Sequence, residues 1–139
     1  MGDSMNSAGL SEHAMPAAVA RFFAASRAGD ARAWAAAFAA DGAFHHPVGQ
    51  PPVRGREAIE ALIVRAIAGF GRFDGLQAVE THRSDPHVAV SWRGAGVSPT
   101  GGAVVWSGIT GFELDDAGLI ANARVYGDLA TVAAQLSAR

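Results

Sequence analysis

The sequence contains no cysteine, and only one tyrosine accompanies its three tryptophans and seven phenylalanines. Without cysteine, the chain can form no disulfide, use no thiol nucleophile and bind no metal through thiolates. The shortage of phenolic hydroxyls among so many aromatic residues indicates a core with large rings and few polar groups.

Strong charge and long apolar runs are also missing. The formal net charge of −2 gives no reason to expect nucleic acid or an anionic membrane as a partner. No apolar run approaches the roughly 20 residues that a membrane-spanning helix needs. The first residues lack the basic and then apolar order of a signal peptide, so we expect a cytoplasmic protein. Nothing in the sequence indicates a cofactor.

Half of the 139 residues are hydrophobic, which favours a folded chain with one substantial core. The Gly/Ser/Asn-rich segment 1–13 is typical of a flexible N-terminal tail. We find no internal repeat and no linker after it, so residues 14–139 are predicted to form a single domain.

The first half of this domain is predicted to be helical. Pro16 suits the first turn of a helix that Gly29 closes, and Asp30 is a plausible N-cap for a second helix that runs to Asp41. A third helix is expected to begin at Gly55. Its apolar residues follow the i, i+3, i+4, i+7 spacing, the strongest periodic signal in the chain, and they are Ile59, Leu62, Ile63, Ala66, Ile67 and Phe70.

Strands are predicted to dominate the second half, where turn residues separate β-like segments. Helices followed by a meander of strands indicate the α+β class, with an antiparallel sheet covered by helices on one face. A short strand precedes the third helix, and a short helix is expected after the last strand, over Asp128 to Leu136. The predicted strands are Ala43 to His46, Leu76 to His82, His87 to Val97, Ala103 to Leu114 and Leu119 to Tyr126.

Two segments carry a family resemblance. GDARAWAAAFAADGAFHHPVGQPPVRGREAI resembles the part of steroid isomerases in which a short strand enters an acid-Pro-x-Gly loop before Gly-Arg-Glu begins a helix. GFELDDAGLIANARVYGDLATV is similar to the final hairpin of the same superfamily, the nuclear transport factor two-like proteins, which includes SnoaL-like cyclases and limonene epoxide hydrolases. The resemblance implies a cone-shaped fold whose curved sheet and helices enclose a cavity.

The catalytic residues of these relatives are replaced here. By the resemblance, His46 stands where steroid isomerases have an aspartate base, and Phe22 and Thr110 stand where they have oxyanion donors. The polar residues of the epoxide hydrolases correspond to positions near Phe44, His46, Trp92, Gly94 and Val125. The resemblance therefore implies the cavity without either familiar mechanism.

Side-chain alternation along the strands predicts which residues face this cavity. His46 and Phe44 share one face, while His45 points away. We predict that His46 acts as a general base, because an imidazole exchanges protons near neutral pH. Small residues at Gly94, Gly108, Ala121 and Ala123 are expected to leave room. Predicted substrate contacts are Phe22, Trp34, Phe38, Phe44, Ile63, Trp92, Trp106, Thr110 and Val125.

Alternative interpretations remain for each of these residues. His46 is equally well explained as a strand-end histidine bonded to a backbone carbonyl, and the tryptophans as packing residues. His45 and His46 face opposite sides of a strand and have no third partner, so no metal site is predicted. Arg54 and Arg56, beside Glu57, are typical of a solvated rim, with a cationic lip that receives an anionic substrate as the alternative.

Two hypotheses about function follow. One is an enzyme that performs cofactor-free isomerisation, cyclisation or dehydration of a small, largely apolar compound. The other is a non-catalytic ligand-binding or dimerisation domain. In either case the outer sheet face is predicted to form a homodimer. Apolar residues occur on both parities of the strands, more than a solvated face needs, and they include Val97, Val104, Val105 and Ile109.

Overall fold

The computed structural model describes residues 15–138, so the tail predicted over residues 1–13 lies outside the described residues. Four helices are present in this part of the chain. They are α1 (Ala17–Ala28), α2 (Ala31–Ala36), α3 (Arg56–Ala68) and α4 (Leu129–Ser137). None of them is long and apolar enough to cross a membrane.

The helices pack on one curved sheet of six strands, which confirms the predicted α+β class. Its spatial order is β2-β1-β6-β5-β4-β3. All neighbouring strands are antiparallel except β1 and β6, which run parallel. The strands are β1 (Phe38–His45), β2 (Val53–Arg54), β3 (Arg72–Ser84), β4 (His87–Val97), β5 (Ala103–Leu114) and β6 (Ile120–Gly127).

The predicted extent of the second helix is wrong. The helix ends at Ala36, and β1 already begins at Phe38, five residues before the predicted start at Ala43. The run of alanines there suits a helix by propensity, but Phe38 pairs with Ile120 of β6, and sheet pairing overrides that preference. The helix start was predicted correctly, because the Asp30 side chain accepts a hydrogen bond from the Ala33 amide at 3.0 Å.

The first helix is fastened to β3 by a serine and a glycine. Ser26 Oγ donates to the carbonyl of Phe23 at 2.6 Å and accepts from the Leu76 amide at 3.0 Å. Gly75 has φ +92°, and a Cβ there would lie 2.5 Å from the Cα of Arg27. Only glycine permits both this backbone conformation and this close approach. The contact fixes α1 against the sheet and so places Phe22 in the core.

Phe22 is the centre of an aromatic cluster. Its ring lies 5.0 Å from Phe112, 5.3 Å from Trp34 and 6.0 Å from Phe44, each in an edge-to-face arrangement. Such pairs add about 0.5–1.5 kcal/mol each beyond the burial of their area. The cluster is the core beneath one end of a cavity between the sheet and the helices.

Candidate functional site

A cavity of about 240 Å³ lies between the inner face of the sheet and the helices α3 and α4. Its sheet side is formed by mostly aromatic and aliphatic residues of β1, β3, β4, β5 and β6. Its helical side consists of aliphatic residues that follow helical spacing on α3 and α4, and Phe22 of α1 and Trp34 of α2 complete the wall. No residue with a formal charge at neutral pH lines it among residues 15–138.

His46 is the titratable residue on the cavity wall. It follows the last residue of β1, lies in the cavity lining together with Phe44, and its ring centre is 5.2 Å from that of Phe44. Burial lowers the pKa of His46 below its usual value of 6.5, and a hydrogen bond with its own backbone acts in the opposite direction and is weaker. The imidazole is therefore neutral at pH 7. His45 is not part of the lining.

A second polar contact lies deeper in the site. Trp92 Nε1 donates a hydrogen bond to Thr110 Oγ1 at 2.9 Å, and the two residues are 3 % and 0 % exposed. An indole nitrogen is only a donor, so the direction of this bond is fixed. The bond satisfies the indole N–H of Trp92 and holds its ring against β5, while the Thr110 hydroxyl can still donate.

Most of the predicted contacts line the cavity together. His46 and eight of the nine predicted substrate-binding residues belong to its wall: Phe22, Trp34, Phe44, Ile63, Trp92, Trp106, Thr110 and Val125. Phe38 does not. Phe38 is completely buried behind the wall, and its ring centre lies 5.3 Å from that of Phe44 and 6.1 Å from that of Phe22. It has this position because Phe38 begins β1 instead of continuing the helix.

The expectation that Gly94 and Gly108 leave room is wrong. They leave no free space for a ligand, because the rings of Trp106 and Trp92 lie against them.

Arg56 is exposed, as expected for a solvated rim. Its Nε also donates to the Phe38 carbonyl at 2.8 Å, which ties α3 to β1.

The C-terminal helix provides a part of the cavity wall that was not predicted from the sequence. Leu129, Val132, Ala133 and Leu136 of α4 all line the cavity. Their i, i+3, i+4, i+7 spacing is the signal that would have identified it. Asp128 is the N-cap of this helix, and its side chain accepts a hydrogen bond from the Thr131 amide at 3.2 Å.

The helix α4 is held in place by a glutamine. Gln135 Oε1 accepts from the Val105 amide at 2.9 Å, and Gln135 Nε2 donates to the Val105 carbonyl at 2.8 Å. Val105 precedes the stretch of β5 that pairs with β6, so the side chain occupies the position of a neighbouring strand. This clasp fixes the helical wall over the cavity.

Metal binding finds no support in this part of the chain. Among residues 15–138, no three His, Asp or Glu side chains are grouped so that they could hold a metal ion.

Comparison with known proteins gives the family and the fold. The model of the SnoaL-like domain matches residues 19–123, whereas no curated protein matches the chain. A Catenulispora acidiphila protein of ketosteroid isomerase-like fold, solved with trimethylamine, is 24% identical with TM-score 0.74, covering 90% of this chain and 95% of that one.

Two mycobacterial structures are similar as well. A Mycobacterium tuberculosis protein solved with estradiol-17beta-hemisuccinate is 24% identical with TM-score 0.70, covering 82% of this chain and 93% of that one. The Delta 5-3-ketosteroid isomerase of Mycobacterium sp. is 25% identical with TM-score 0.67, covering 83% of this chain and 93% of that one. The chain therefore belongs to the SnoaL-like domain family, within the nuclear transport factor two-like superfamily.

Proposed function

We propose that the protein binds a small, uncharged and largely apolar organic molecule in the cavity. The observation that carries this proposal is a lining of apolar side chains around one neutral imidazole, with no charged partner among the described residues. Transfer of an anion into such surroundings without a partner is strongly unfavourable. Carboxylates and phosphates are therefore poor ligands for this site.

The cavity volume limits the ligand further. About 240 Å³ exceeds the roughly 150 Å³ of an apolar cavity that takes up benzene, and falls just below the roughly 300 Å³ at which pockets for drug-sized ligands begin. A molecule with one or two rings fits these limits. Two structures of this fold were solved with small organic molecules, which supports a small organic ligand for this protein.

We further propose that His46 is the base in a cofactor-free proton transfer. A neutral imidazole can remove a proton from a carbon beside a carbonyl and return it to the same or another carbon. Isomerisation, cyclisation and dehydration all begin with such a step. Burial supports this role because it keeps the ring unprotonated at neutral pH.

The second candidate is a binding domain without catalysis. It is favoured by the lack of an acidic oxyanion donor among the described lining residues. The free donors there are weaker ones, the hydroxyl of Thr110 and the indole N–H of Trp34, which is buried without a partner. Preorganised donors are usually the largest single contribution to catalysis of this kind.

An exchange experiment separates the two candidates. The uncharged two-ring ketone 2-tetralone is incubated with the protein in D₂O at pH 7, and deuterium uptake beside the carbonyl is followed by NMR. We expect the wild type to accelerate uptake, His46→Ala to lose most of the acceleration, and the matched variant His45→Ala to retain it. General-base catalysis typically contributes about a hundred- to ten-thousand-fold.

Saturable binding of 2-tetralone without faster exchange would favour the binding domain and contradict the role of His46 as a base. Equal acceleration by His46→Ala and the wild type would do the same. If neither 2-tetralone nor other uncharged one- and two-ring compounds bind, the proposed ligand class is wrong.

We also propose a homodimer through the outer face of the sheet. Val105 is 65 % exposed, Ile109 49 % and Tyr126 53 %, and Ile109 lies opposite Tyr126 on the neighbouring strand. A second copy would cover these apolar residues. Val104, in contrast, is completely buried and does not belong to this surface.

Sedimentation velocity at micromolar concentration is expected to show a dimer for the wild type and a monomer for Ile109→Arg. A monomeric wild type would contradict the proposal. The cytoplasmic location stays a prediction.

A further inference from the structure

The inner face of the sheet carries glycines under aromatic rings. Gly94 and Trp106 are directly opposite each other on β4 and β5, and so are Trp92 and Gly108. A Cβ on Gly94 would lie 2.2, 2.4 and 2.7 Å from three atoms of the Trp106 ring. Carbon atoms in contact normally lie about 3.5–4.0 Å apart. The Trp106 ring therefore occupies the space that any other residue at position 94 would need.

The backbone does not require glycine at position 94. Its φ lies outside the left-handed region, so alanine can adopt the same conformation. Its three nearest neighbours are all atoms of one side chain, the Trp106 ring. Gly108 differs, because a Cβ there would also lie 2.6 Å from the carbonyl oxygen of Tyr126. Gly94 is thus the position at which the space under a ring can be changed without moving the backbone.

Trp106 has one side on the sheet and belongs to the cavity wall. Its ring centre is 5.4 Å from that of Phe70 and 6.1 Å from that of Phe73, and both of these rings line the cavity too. A ring raised from Gly94 by a Cβ must move away from the sheet. That movement narrows the cavity, whether the indole enters the open space itself or pushes the two phenylalanines ahead of it.

We infer that Gly94 and Trp106 together set the depth of the cavity and so determine the size of the ligand. This inference rests on the proposed ligand-binding function. The absence of a side chain at Gly94 lets the indole lie flat on the sheet, which leaves room for a two-ring molecule. A larger residue at position 94 limits the site to one ring, and a smaller residue at position 106 extends it to three.

Affinities for three uncharged probes of increasing size test the inference: benzene, 2-tetralone and anthrone. The free energy that overpacking of an interior typically costs corresponds to a loss of affinity of about ten- to hundred-fold. We expect Gly94→Ala to weaken the affinity for 2-tetralone by about this factor, while the affinity for benzene stays within about threefold of the wild-type value. The double variant Gly94→Ala/Trp106→Leu should recover the wild-type affinity for 2-tetralone. Gly111→Ala is the matched control, because a Cβ there meets nothing within 4 Å.

An unchanged size preference in Gly94→Ala, or an equal loss in Gly111→Ala, would overturn the inference. If Gly94→Ala fails to fold, Trp106→Leu alone tests the inference. This variant should bind anthrone more tightly than the wild type, and an unchanged affinity for anthrone would refute the inference. A crystal structure of Gly94→Ala provides a readout that needs no ligand: the indole should be displaced towards the cavity. If the wild type binds none of the probes, the proposed function fails, whereas an undisplaced indole contradicts the inference alone.

Discussion

Replacement of Thr110 by valine tests the polar contact that lies deepest in the cavity wall. Valine has nearly the same shape as threonine, so the substitution removes the hydroxyl without opening a cavity. Trp92 Nε1 then loses the acceptor that it contacts at 2.9 Å. Because the two residues are 3 % and 0 % exposed, water cannot replace the lost partner without rearrangement.

An unpaired buried donor costs about 1–3 kcal/mol, whereas removal of both partners of a hydrogen bond is nearly neutral. Thr110→Val should therefore lower the free energy of unfolding by about 1–3 kcal/mol in the wild type. In a Trp92→Phe background, which has no indole N–H, the same change should be neutral or slightly stabilising. Thr110→Ser keeps the oxygen and should cost only about 1 kcal/mol, the value of one buried methyl group.

Urea unfolding of the four proteins of this cycle gives the coupling free energy between the two residues. We expect at least about 1 kcal/mol of coupling. Equal destabilisation by Thr110→Val in both backgrounds would show that the hydrogen bond does not determine the orientation of Trp92.

Three further predictions follow from the same site. If Phe22 and Thr110 replace the acidic oxyanion donors, as the resemblance to steroid isomerases implies, turnover of β,γ-unsaturated ketosteroids should be at least about a hundred-fold below that of a true steroid isomerase, and comparable turnover in a spectrophotometric assay would contradict this. The folded-state pKa of His46 lies below the unfolded value of 6.5, so its contribution to stability is complete above about pH 6.5 and is lost as the pH falls through the folded pKa. Urea unfolding between about pH 5 and 8 should show this loss in the wild type and not in His46→Gln, and parallel curves would refute it. Gln135→Ala removes both bonds to Val105, so hydrogen exchange in α4 should become faster and ligand affinity weaker, while unchanged exchange would mean that the clasp does not hold the helix.

Much of the fold was accessible from the sequence because the local signals agreed with the global structure. The apolar stripe of α3 indeed faces the interior, and the turn at Asp115 to Gly118 lies between β5 and β6, as its residues indicate. The start of β1 was not accessible. Alanine-rich sequence favours a helix locally, and only pairing with Ile120, which is distant in sequence, makes Phe38 a strand residue.

The site was predictable to the extent that strand alternation determines it. Alternation on β5 placed Trp106 and Thr110 on the cavity side correctly. What alternation cannot show is how far a side chain extends across to the next strand. The indoles of Trp92 and Trp106 cover Gly108 and Gly94, so positions that suggested empty space are filled by residues of a neighbouring strand. The closure of the cavity by α4 depends on the Gln135 clasp, which also joins residues distant in sequence.

The most direct test of the central claim is an NMR titration of the histidine ring signals with uncharged one- and two-ring compounds, among them 2-tetralone. We expect a saturable shift of the His46 signals with little change at His82 and His87, which are exposed on the sheet. The shift should disappear in Ala66→Trp, which places an indole in the cavity lining. Unchanged His46 signals with every compound, or an equal shift in Ala66→Trp, would contradict ligand binding in this cavity.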